Sequence, residues 1–224
     1  MSTGALTFDV RPYGERAVLL DLPDSGTRRA VTRWLVEHDH EGVESVPAER
    51  TILLQVGDRR VGAAGAHERL TAVLRDLREA DPGDHERSEH ESPVVDLDVV
   101  YDGPDLADAA EALGMSVEGL VRWHTESAWE VEFLGFMPGF GYLTRPGDTL
   151  EVPRRSSPRT RIPVGSVGLA GRYSGVYPSA SPGGWQLIGT TSAVMFDPGG
   201  DGALLTPGDR VQFRVSEGTE RGRG

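Results

Sequence analysis

Three stretches in the second half of the sequence carry residue types that could take part in chemistry. The first is residues 135–143, GFMPGFGYL, in which glycine and aromatic residues alternate directly after an apolar run. Glycines let a backbone approach a ligand closely and aim N–H groups at a developing negative charge. Taken alone, however, the pattern favours a tight corner of a β-barrel in which Phe136, Phe140 and Tyr142 are ordinary core residues.

The second stretch is rich in arginine. Between Arg145 and Arg172 there are six arginines against two acids, Asp148 and Glu151, which leaves an excess of four positive charges. Guanidinium groups bind carboxylate and phosphate in bidentate fashion and stay charged in any environment. The stretch therefore predicts a site for a small anion, and the alternative is that two or three of these arginines serve solubility alone. The cluster consists of Arg154, Arg155, Arg159, Arg161 and Arg172.

The third stretch is Ser181-Pro-Gly-Gly-Trp185. A Pro-Gly-Gly turn presents bare backbone and holds the tryptophan in a fixed place, while the Ser181 hydroxyl can cap the turn or contact a ligand. A hairpin turn followed by a core tryptophan explains the same residues equally well.

His124 is the one histidine after residue 90 and the one general base of near-neutral pKa in that half. A lone histidine near the end of an amphipathic helix is more often structural than catalytic. The histidines at positions 38, 40, 85 and 90 lack a metal-ligand spacing such as HExxH, so we expect no metal site. No G-x-S-x-G motif supports a serine hydrolase.

Composition excludes several classes of function. The net charge of −12 argues against nucleic acid or an anionic membrane as a partner. All 23 basic residues are arginine, so this chain can carry neither a P-loop lysine nor a biotinylated lysine. The absence of cysteine, of a signal peptide and of a run of ~20 apolar residues predicts a cytoplasmic protein.

The chain divides into two predicted domains that differ in their pattern of secondary structure and in their content of glycine and proline. Residues 1–100 read as strand, strand, helix, strand, strand, helix, with a last strand over 93–101, which predicts a small α+β domain. An acidic linker or loop covers residues 78–93. In residues 101–216, two short helices over 105–113 and 116–124 precede many short strands broken by glycine and proline, which predicts a β-barrel. We expect residues 217–224 to be a disordered tail.

Five segments together resemble one known family. They are GFMPGFGYL at 135–143, PRRSSPRTRIPVGSVGLAG at 153–171, YPSASPGGWQLIG at 177–189, FDP at 196–198 and LLTPGDRVQF at 204–213. In this order they resemble the KipI family, which is also known as the family of allophanate hydrolase subunit 1 or of the 5-oxoprolinase B subunit. The resemblance covers the second half of the chain nearly end to end.

The resemblance implies a fold and an activity. It implies an α+β fold, with a ferredoxin-like N-terminal domain and a C-terminal cyclophilin-like, carboxyltransferase-type barrel. It further implies an ATP-dependent amide hydrolase that opens the lactam of 5-oxo-L-proline to L-glutamate and is active only in a complex. The implied partners are a large carboxyltransferase-like subunit, of the allophanate hydrolase subunit 2 type, and a third subunit, with ATP used by the complex.

The motifs and the resemblance together define the expected site. We expect His124, Arg159 and Arg161 to be catalytic, with the arginines holding an anion while N–H groups of the glycine loop stabilise an oxyanion. The expected substrate-binding residues are Gly135, Phe136, Pro138, Gly139, Phe140, Arg154, Gly165, Ser166, Ser181, Pro182, Gly183, Gly184 and Trp185.

Other functions remain open on the sequence alone. The same family features are compatible with an allophanate hydrolase subunit 1 in urea-linked metabolism. They are also compatible with a KipI-like inhibitor of a sensor histidine kinase, which would use the barrel surface for docking and need no catalytic arginine. The barrel alone suggests a prolyl isomerase, but a fold says little about activity.

Overall fold

A computed structural model describes residues 6–80, 94–145 and 147–217. Contacts between residues divide the chain into two compact units, one ending at His90 and one beginning at Glu91. No helix among the described residues is both long enough and apolar enough to span a membrane.

The first unit follows the predicted order of elements. Its strands and helices are β1 (Asp9–Pro12), β2 (Ala17–Asp21), α1 (Ser25–Glu37), β3 (Val43–Pro47), β4 (Thr51–Val56) and α2 (Ala63–Glu79). The strands form an antiparallel sheet in the order β1-β2-β4-β3.

Hydrophobic periodicity explains the core of this unit. In β4 every second residue is buried, and in α2 the buried residues Leu70, Val73 and Leu77 recur at helical spacing. These two stripes pack with Leu20 and Val31 into one core. The chain order strand, strand, helix, strand, strand, helix differs from the βαββαβ order of a ferredoxin-like domain.

The second unit contains two short helices and many short strands. They are β5 (Val94–Val99), α3 (Leu106–Ala112), α4 (Val117–Thr125), β6 (Trp129–Leu134), β7 (Gly141–Thr144), β8 (Arg159–Ile162), β9 (Ser166–Ala170), β10 (Tyr173–Val176), β11 (Ser181–Gly183), β12 (Gln186–Thr190), β13 (Phe196–Asp197), β14 (Gly202–Ala203) and β15 (Arg210–Val215). The two helices lie within a residue of the predicted ranges, and Ser116 caps α4 as expected by accepting a bond from the Gly119 N–H at 3.1 Å.

Seven of these strands form a barrel-like sheet in the order β12-β9-β10-β7-β6-β15-β5. Beyond the end of β5, Val100 meets Thr190 of β12, and the two residues exchange both backbone hydrogen bonds at 2.8 Å. The two outermost strands therefore touch, which satisfies edge groups that an open sheet would expose. The prediction of a β-barrel in the second half of the chain is therefore confirmed.

The placement of β5 corrects one prediction. We expected the strand near residues 93–101 to extend the first sheet, but β5 pairs in parallel with β15, from Val94 opposite Arg210 to Val99 opposite Val215. Alternation in this segment shows that one face is buried, and it does not show against which sheet. Arg78 and Glu79, assigned to the linker, end α2 instead, while residues 81–93 and 218–224 lie outside the described part of the chain.

Candidate functional site

Two of the three stretches, residues 135–143 and 181–185, meet in one group of aromatic side chains, called here the aromatic cluster. It consists of Phe133, Phe136, Phe140, Tyr142, Tyr173, Tyr177 and Trp185. Trp185 lies at its centre, with ring centroids 5.3 Å from Phe140 and 5.7 Å from Tyr142 in edge-on geometry. Such contacts place the positive edge of one ring on the negative face of another and stabilise the arrangement. Residues 135–143 and 181–185 therefore lie together, and their predicted convergence with the arginines stays a prediction.

Glycines in the barrel wall make room for this cluster. A Cβ atom on Gly175 would lie 2.9 Å from Phe140 and 3.1 Å from Trp185, and one on Gly168 would lie 3.2 Å from the Trp185 Cβ. Side chains alternate between the two faces of a strand, so the cluster covers the outer face of β9 and β10 while Val167 and Leu169 fill the barrel interior.

The loop from Gly135 to Phe140 folds back on itself. The Met137 N–H donates to the Gly135 carbonyl at 2.8 Å, the Phe140 N–H to the Met137 carbonyl at 3.0 Å, and the Gly135 N–H to the Phe140 carbonyl at 3.1 Å. These three N–H groups are therefore engaged, and Pro138 has none. Within the described residues no acceptor faces the N–H groups of Phe136 and Gly139, so these two are the donors left for an oxyanion.

Phe136 adopts a backbone conformation that is unusual for its type. Its φ is +68°, and it is the one residue other than glycine with positive φ in the described part of the chain. The left-handed region costs an L-residue roughly 1–2 kcal/mol. The side chain is nevertheless 60% exposed, so burial offsets little of this cost.

Most glycines of the predicted site are explained by close packing. A Cβ atom would lie 2.3 Å from the Thr191 carbonyl oxygen at Gly165, 2.6 Å from Phe196 at Gly139 and 2.7 Å from Ile162 at Gly183. Gly184 accepts a bond from the Arg155 N–H at 2.9 Å. At Gly165, Gly139 and Gly183 the close packing is a reason for glycine that does not require a ligand.

The polar and proline positions of the predicted site differ in exposure. Ser166 is buried in β9, whereas Pro182 is exposed in β11. The Ser181 hydroxyl is buried and finds no hydrogen-bond partner among the residues described. Of these three, Ser181 alone carries a polar group that is left for a ligand.

A buried carboxylate that the sequence did not single out organises the arginines. Asp105 precedes α3 and is 1% exposed. Arg159 donates two bonds to it, at 2.7 and 2.8 Å, and Arg155 donates a third at 2.5 Å. The N–H of Leu187 donates a fourth at 2.7 Å. The Asp105 carboxylate thus ties α3, β8 and β12 together.

This network sets the charge of its members. Burial alone would raise the pKa of Asp105, but the hydrogen bonds from Arg159 and Leu187 and the charges of Arg159 and Arg155 outweigh it and hold the pKa below its usual value. The hydrogen bond to Asp105 raises the pKa of Arg159 in turn. Arg159 is therefore a cation that is already paired, and its predicted catalytic role has to be shared with a structural one.

Arg154 and Arg161 have different surroundings. Arg154 is exposed, and its charge reaches the hydroxyls of Tyr142 and Tyr177 at the aromatic cluster. Arg161 is also exposed, and no hydrogen bond or ion pair joins it to another described residue, although alternation along β8 places it on the same face as Arg159. The gathering of Arg154, Arg159 and Arg161 in one pocket stays a prediction.

The two tyrosines beside Arg154 were overlooked as site residues, although both lie in the family motifs. Burial raises the pKa of Tyr177 to about 12 and outweighs the opposing charges of Arg154 and Arg159. Burial also raises the pKa of Tyr142 above its usual value. Both phenols therefore stay protonated at neutral pH and can donate hydrogen bonds to an anion.

His124 does not lie with the arginines. It is fully buried in the barrel core, stacked on Phe213 with ring centroids 4.2 Å apart. Its Nδ1 is 2.7 Å from the Tyr101 hydroxyl, and its Nε2 is 2.8 Å from the Ser174 hydroxyl. Ser174 and Gly175 are neighbours on β10, so the barrel wall separates His124 from the aromatic cluster.

The environment of His124 favours the neutral ring. Burial, assisted by the charge of Arg145, lowers the pKa of His124 to about 3. With both ring nitrogens hydrogen-bonded, the expected proton transfer at the arginine site has no support in this geometry. The alternative reading of the sequence, a structural histidine, fits it.

The fold, the motifs and the site together agree with one protein family. The chain belongs to the family of the carboxyltransferase domain, subdomain C and D, whose model matches residues 8–206. Among curated proteins it is 40% identical over 210 residues to the 5-oxoprolinase B subunit of Escherichia coli O157:H7, covering 89% of this chain and 92% of that protein. It is 41% identical over 225 residues to the 5-oxoprolinase B subunit of Bacillus subtilis strain 168, covering 94% of each.

Solved structures share this architecture. The crystal structure of TTHA0988 is 35% identical with a TM-score of 0.71, covering 91% of this chain and 40% of that one. The uncharacterised protein PH0987 from Pyrococcus horikoshii is 27% identical with a TM-score of 0.54, and the match covers 93% of this chain and 98% of that one. The urea amidolyase of K. lactis has a TM-score of 0.68 at 19% identity, covering 95% and 15%, and this likeness concerns the fold alone. The chain thus spans well under half of two of these three proteins.

The Asp105 network predicts a measurable loss of stability. Asp105→Asn should lower the free energy of unfolding of the barrel by about 2 kcal/mol at pH 7, because two guanidinium groups lose their anion in a buried place. Since the folded pKa is depressed, the stabilisation is present above the unfolded pKa near 4 and lost as pH falls below it. The difference between the wild type and the variant should therefore shrink below pH 4.

Urea unfolding at several pH values measures this effect. Asp96→Asn is the matched control, because the Asp96–Arg214 pair at 2.9 Å is about half exposed on both sides and should contribute little. An equal decrease in the free energy of unfolding for the two variants at pH 7 would contradict the conclusion that the Asp105 network stabilises the barrel more than an exposed ion pair does.

His124 predicts a second pH effect at higher pH. A buried neutral histidine takes up a proton only in the unfolded chain, so stability should fall as pH drops from about 6.5 towards 3, by about 1.4 kcal/mol per pH unit. His124→Gln should flatten this slope for the barrel. Hydrogen exchange of β10 amides between pH 6.5 and 4.5 measures this slope of stability with pH. His67→Gln is the control, because His67 is exposed. A slope unchanged in His124→Gln would refute the buried neutral state.

Proposed function

We propose that this chain is the B subunit of an ATP-dependent 5-oxoprolinase, which opens 5-oxo-L-proline to L-glutamate. The proposal is supported by about 40% identity to two proteins named as the B subunit of 5-oxoprolinase, over roughly nine tenths of each chain. Its partners in the proposal are a large carboxyltransferase-like subunit and a third subunit. At the level of fold, we propose that the first unit is a rearranged ferredoxin-like domain and the second a cyclophilin-like barrel.

One structural observation carries the proposal for the site. An exposed cation, Arg154, lies within electrostatic reach of two protonated tyrosines, Tyr142 and Tyr177, on a packed aromatic floor. The buried carboxylate of Asp105 already accepts four hydrogen bonds from Arg155, Arg159 and the backbone. The site therefore offers donors and positive charge, which suits the carboxylate of 5-oxoproline or another small anion.

In the proposed mechanism, the residues of this chain bind and orient the substrate. Arg154 holds the substrate carboxylate, and the Tyr142 and Tyr177 hydroxyls donate further hydrogen bonds. The free N–H groups of Phe136 and Gly139 stabilise negative charge on the lactam oxygen when it develops. Asp105 keeps Arg159 and Arg155 in place and therefore acts as a positioning residue.

The nucleotide belongs to the complex in this proposal. ATP supplies phosphoryl activation of an amide that is otherwise too stable to hydrolyse quickly. The chain has no lysine, so a P-loop or a biotinyl group cannot be built on it, and such groups fall to the partners. Arginines and protonated phenols are nevertheless suited to a phosphate as well as to a carboxylate.

Reconstitution tests the proposed function. The chain is co-purified with its large and third subunits, and ATP-dependent formation of glutamate from 5-oxoproline is measured, with allophanate as the competing substrate. We expect turnover of 5-oxoproline only when all subunits and ATP are present. An assembled complex that consumes allophanate and leaves 5-oxoproline unchanged would overturn the assignment.

Three arginine variants test the site within that complex. Arg154→Ala should raise KM for 5-oxoproline about 10- to 100-fold, because it removes a charge-assisted hydrogen bond worth roughly 1.5–3 kcal/mol. Arg161→Ala, from the same stretch but without a described interaction with Tyr142, Tyr177 or Asp105, should change KM less than threefold. Arg210→Ala, an exposed arginine on β15, is the control for charge alone. An Arg161 effect as large as that of Arg154 would show that the ligand lies elsewhere.

A further inference from the structure

Phe136 departs from two general rules at once. Large aromatic side chains are usually buried, yet its side chain is 60% exposed. Residues with positive φ are usually glycine or asparagine, yet Phe136 has a φ of +68° between Gly135 and Met137. Backbone strain that packing does not compensate is concentrated at functional sites.

The contacts of Phe136 do not explain why a phenyl ring is needed there. Its ring meets Phe140 and Tyr177 edge-on, with centroids 5.6 and 6.5 Å apart, at the rim of the aromatic cluster. Phe140 and Tyr177 are themselves 1% exposed and already contact Trp185. Phe136 thus packs against the cluster with one flank of its ring and leaves the other flank facing solvent.

Tyr177 connects this exposed ring to the positive charges. Its ring contacts Phe136, while its hydroxyl end lies beside Gly183, where a Cβ atom would be 2.8 Å from the oxygen. Gly183 pairs with Arg159 across β11 and β8. An apolar surface and a cationic one therefore lie at the two ends of a single tyrosine side chain.

We infer that Phe136 is a ligand-contacting residue whose phenyl ring forms an apolar wall beside the cationic site, so that the site selects a small carboxylate with an apolar face. The left-handed backbone turns the ring outward over the rim, where a ligand rather than the protein covers it. This inference rests on the proposed function and deepens it by naming the substrate class.

The inferred wall distinguishes between the competing substrates. The five-membered ring of 5-oxoproline carries two CH₂ groups and one CH group next to its carboxylate, and these bury apolar surface against a phenyl ring. Allophanate has no C–H group and gains nothing from such a wall. Phe136 therefore favours the cyclic substrate over the wholly polar one.

Variants of Phe136 test the inference in the reconstituted complex. Phe136→Asn removes the ring and suits the left-handed backbone, so the chain should melt no lower than the wild type. KM for 5-oxoproline should rise about tenfold or more. Inhibition by cyclopentanecarboxylate, which keeps the ring and the acid, should be lost, while inhibition by the polar acid oxamate should stay within twofold.

Phe136→Tyr and Val194→Ala are the matched controls. Tyrosine keeps the aromatic face and should keep KM within about threefold. Val194 is an apolar residue with 69% exposure, and its truncation should leave KM and inhibition unchanged. Equal effects of Val194→Ala and Phe136→Asn would overturn the inference.

Two further results would overturn it. One is loss of co-purification with the large subunit in Phe136→Asn while KM of the residual complex is unchanged, which would make Phe136 an interface residue. The other is equal binding of cyclopentanecarboxylate by the wild-type complex and the Phe136→Asn complex, measured by saturation-transfer NMR. This second measurement decides the inference even if 5-oxoproline is not turned over, so failure of the proposed function and failure of the inference are distinguishable.

Discussion

The second unit depends on one buried carboxylate. Asp105 lies where α3 begins, yet its side chain does not cap that helix and accepts bonds from Arg155, Arg159 and the Leu187 N–H instead. Removing a carboxylate from water is costly unless every lone pair is satisfied, and here four donors satisfy it. This interaction holds Arg159 of β8 and Arg155 of the preceding loop against the start of α3 and against β12.

The barrel wall separates two polar systems that looked like one in the sequence. On the inner side, His124 is held between Tyr101 and Ser174 as a neutral core residue. On the outer side, the aromatic cluster carries the cations and the strained Phe136. Because neighbouring residues on β10 face opposite ways, residues 174 and 175 belong to different chemical environments. Stability and recognition are thus assigned to different faces of the same strands.

Much of this could be predicted from the sequence. Glycine and proline density, the alternation in β4 and β15, and the helix cap at Ser116 are local signals, and the elements they predicted are present. The family resemblance singled out residues 135–143, 153–171 and 177–189, and side chains of the first and third of these segments meet in the aromatic cluster. The Asp105 network could not be predicted, because its partners are separated by about fifty residues or more and a lone aspartate before a helix reads as an N-cap. The sheet joined by β5 and the burial of His124 likewise depend on tertiary contacts that no local pattern encodes.

The parallel pairing of β5 with β15 also has a consequence for biosynthesis. The first strand of the second unit finds its partner only in the last one, with Val94 opposite Arg210. During translation, β5 leaves the ribosome long before β15 exists, so the barrel cannot close until β15 has been synthesised. The first unit, whose sheet contains only strands before residue 57, can fold in the meantime. The nascent chain therefore carries an unpaired β-edge from the synthesis of β5 until that of β15, which makes this stage the one most exposed to aggregation and to chaperones.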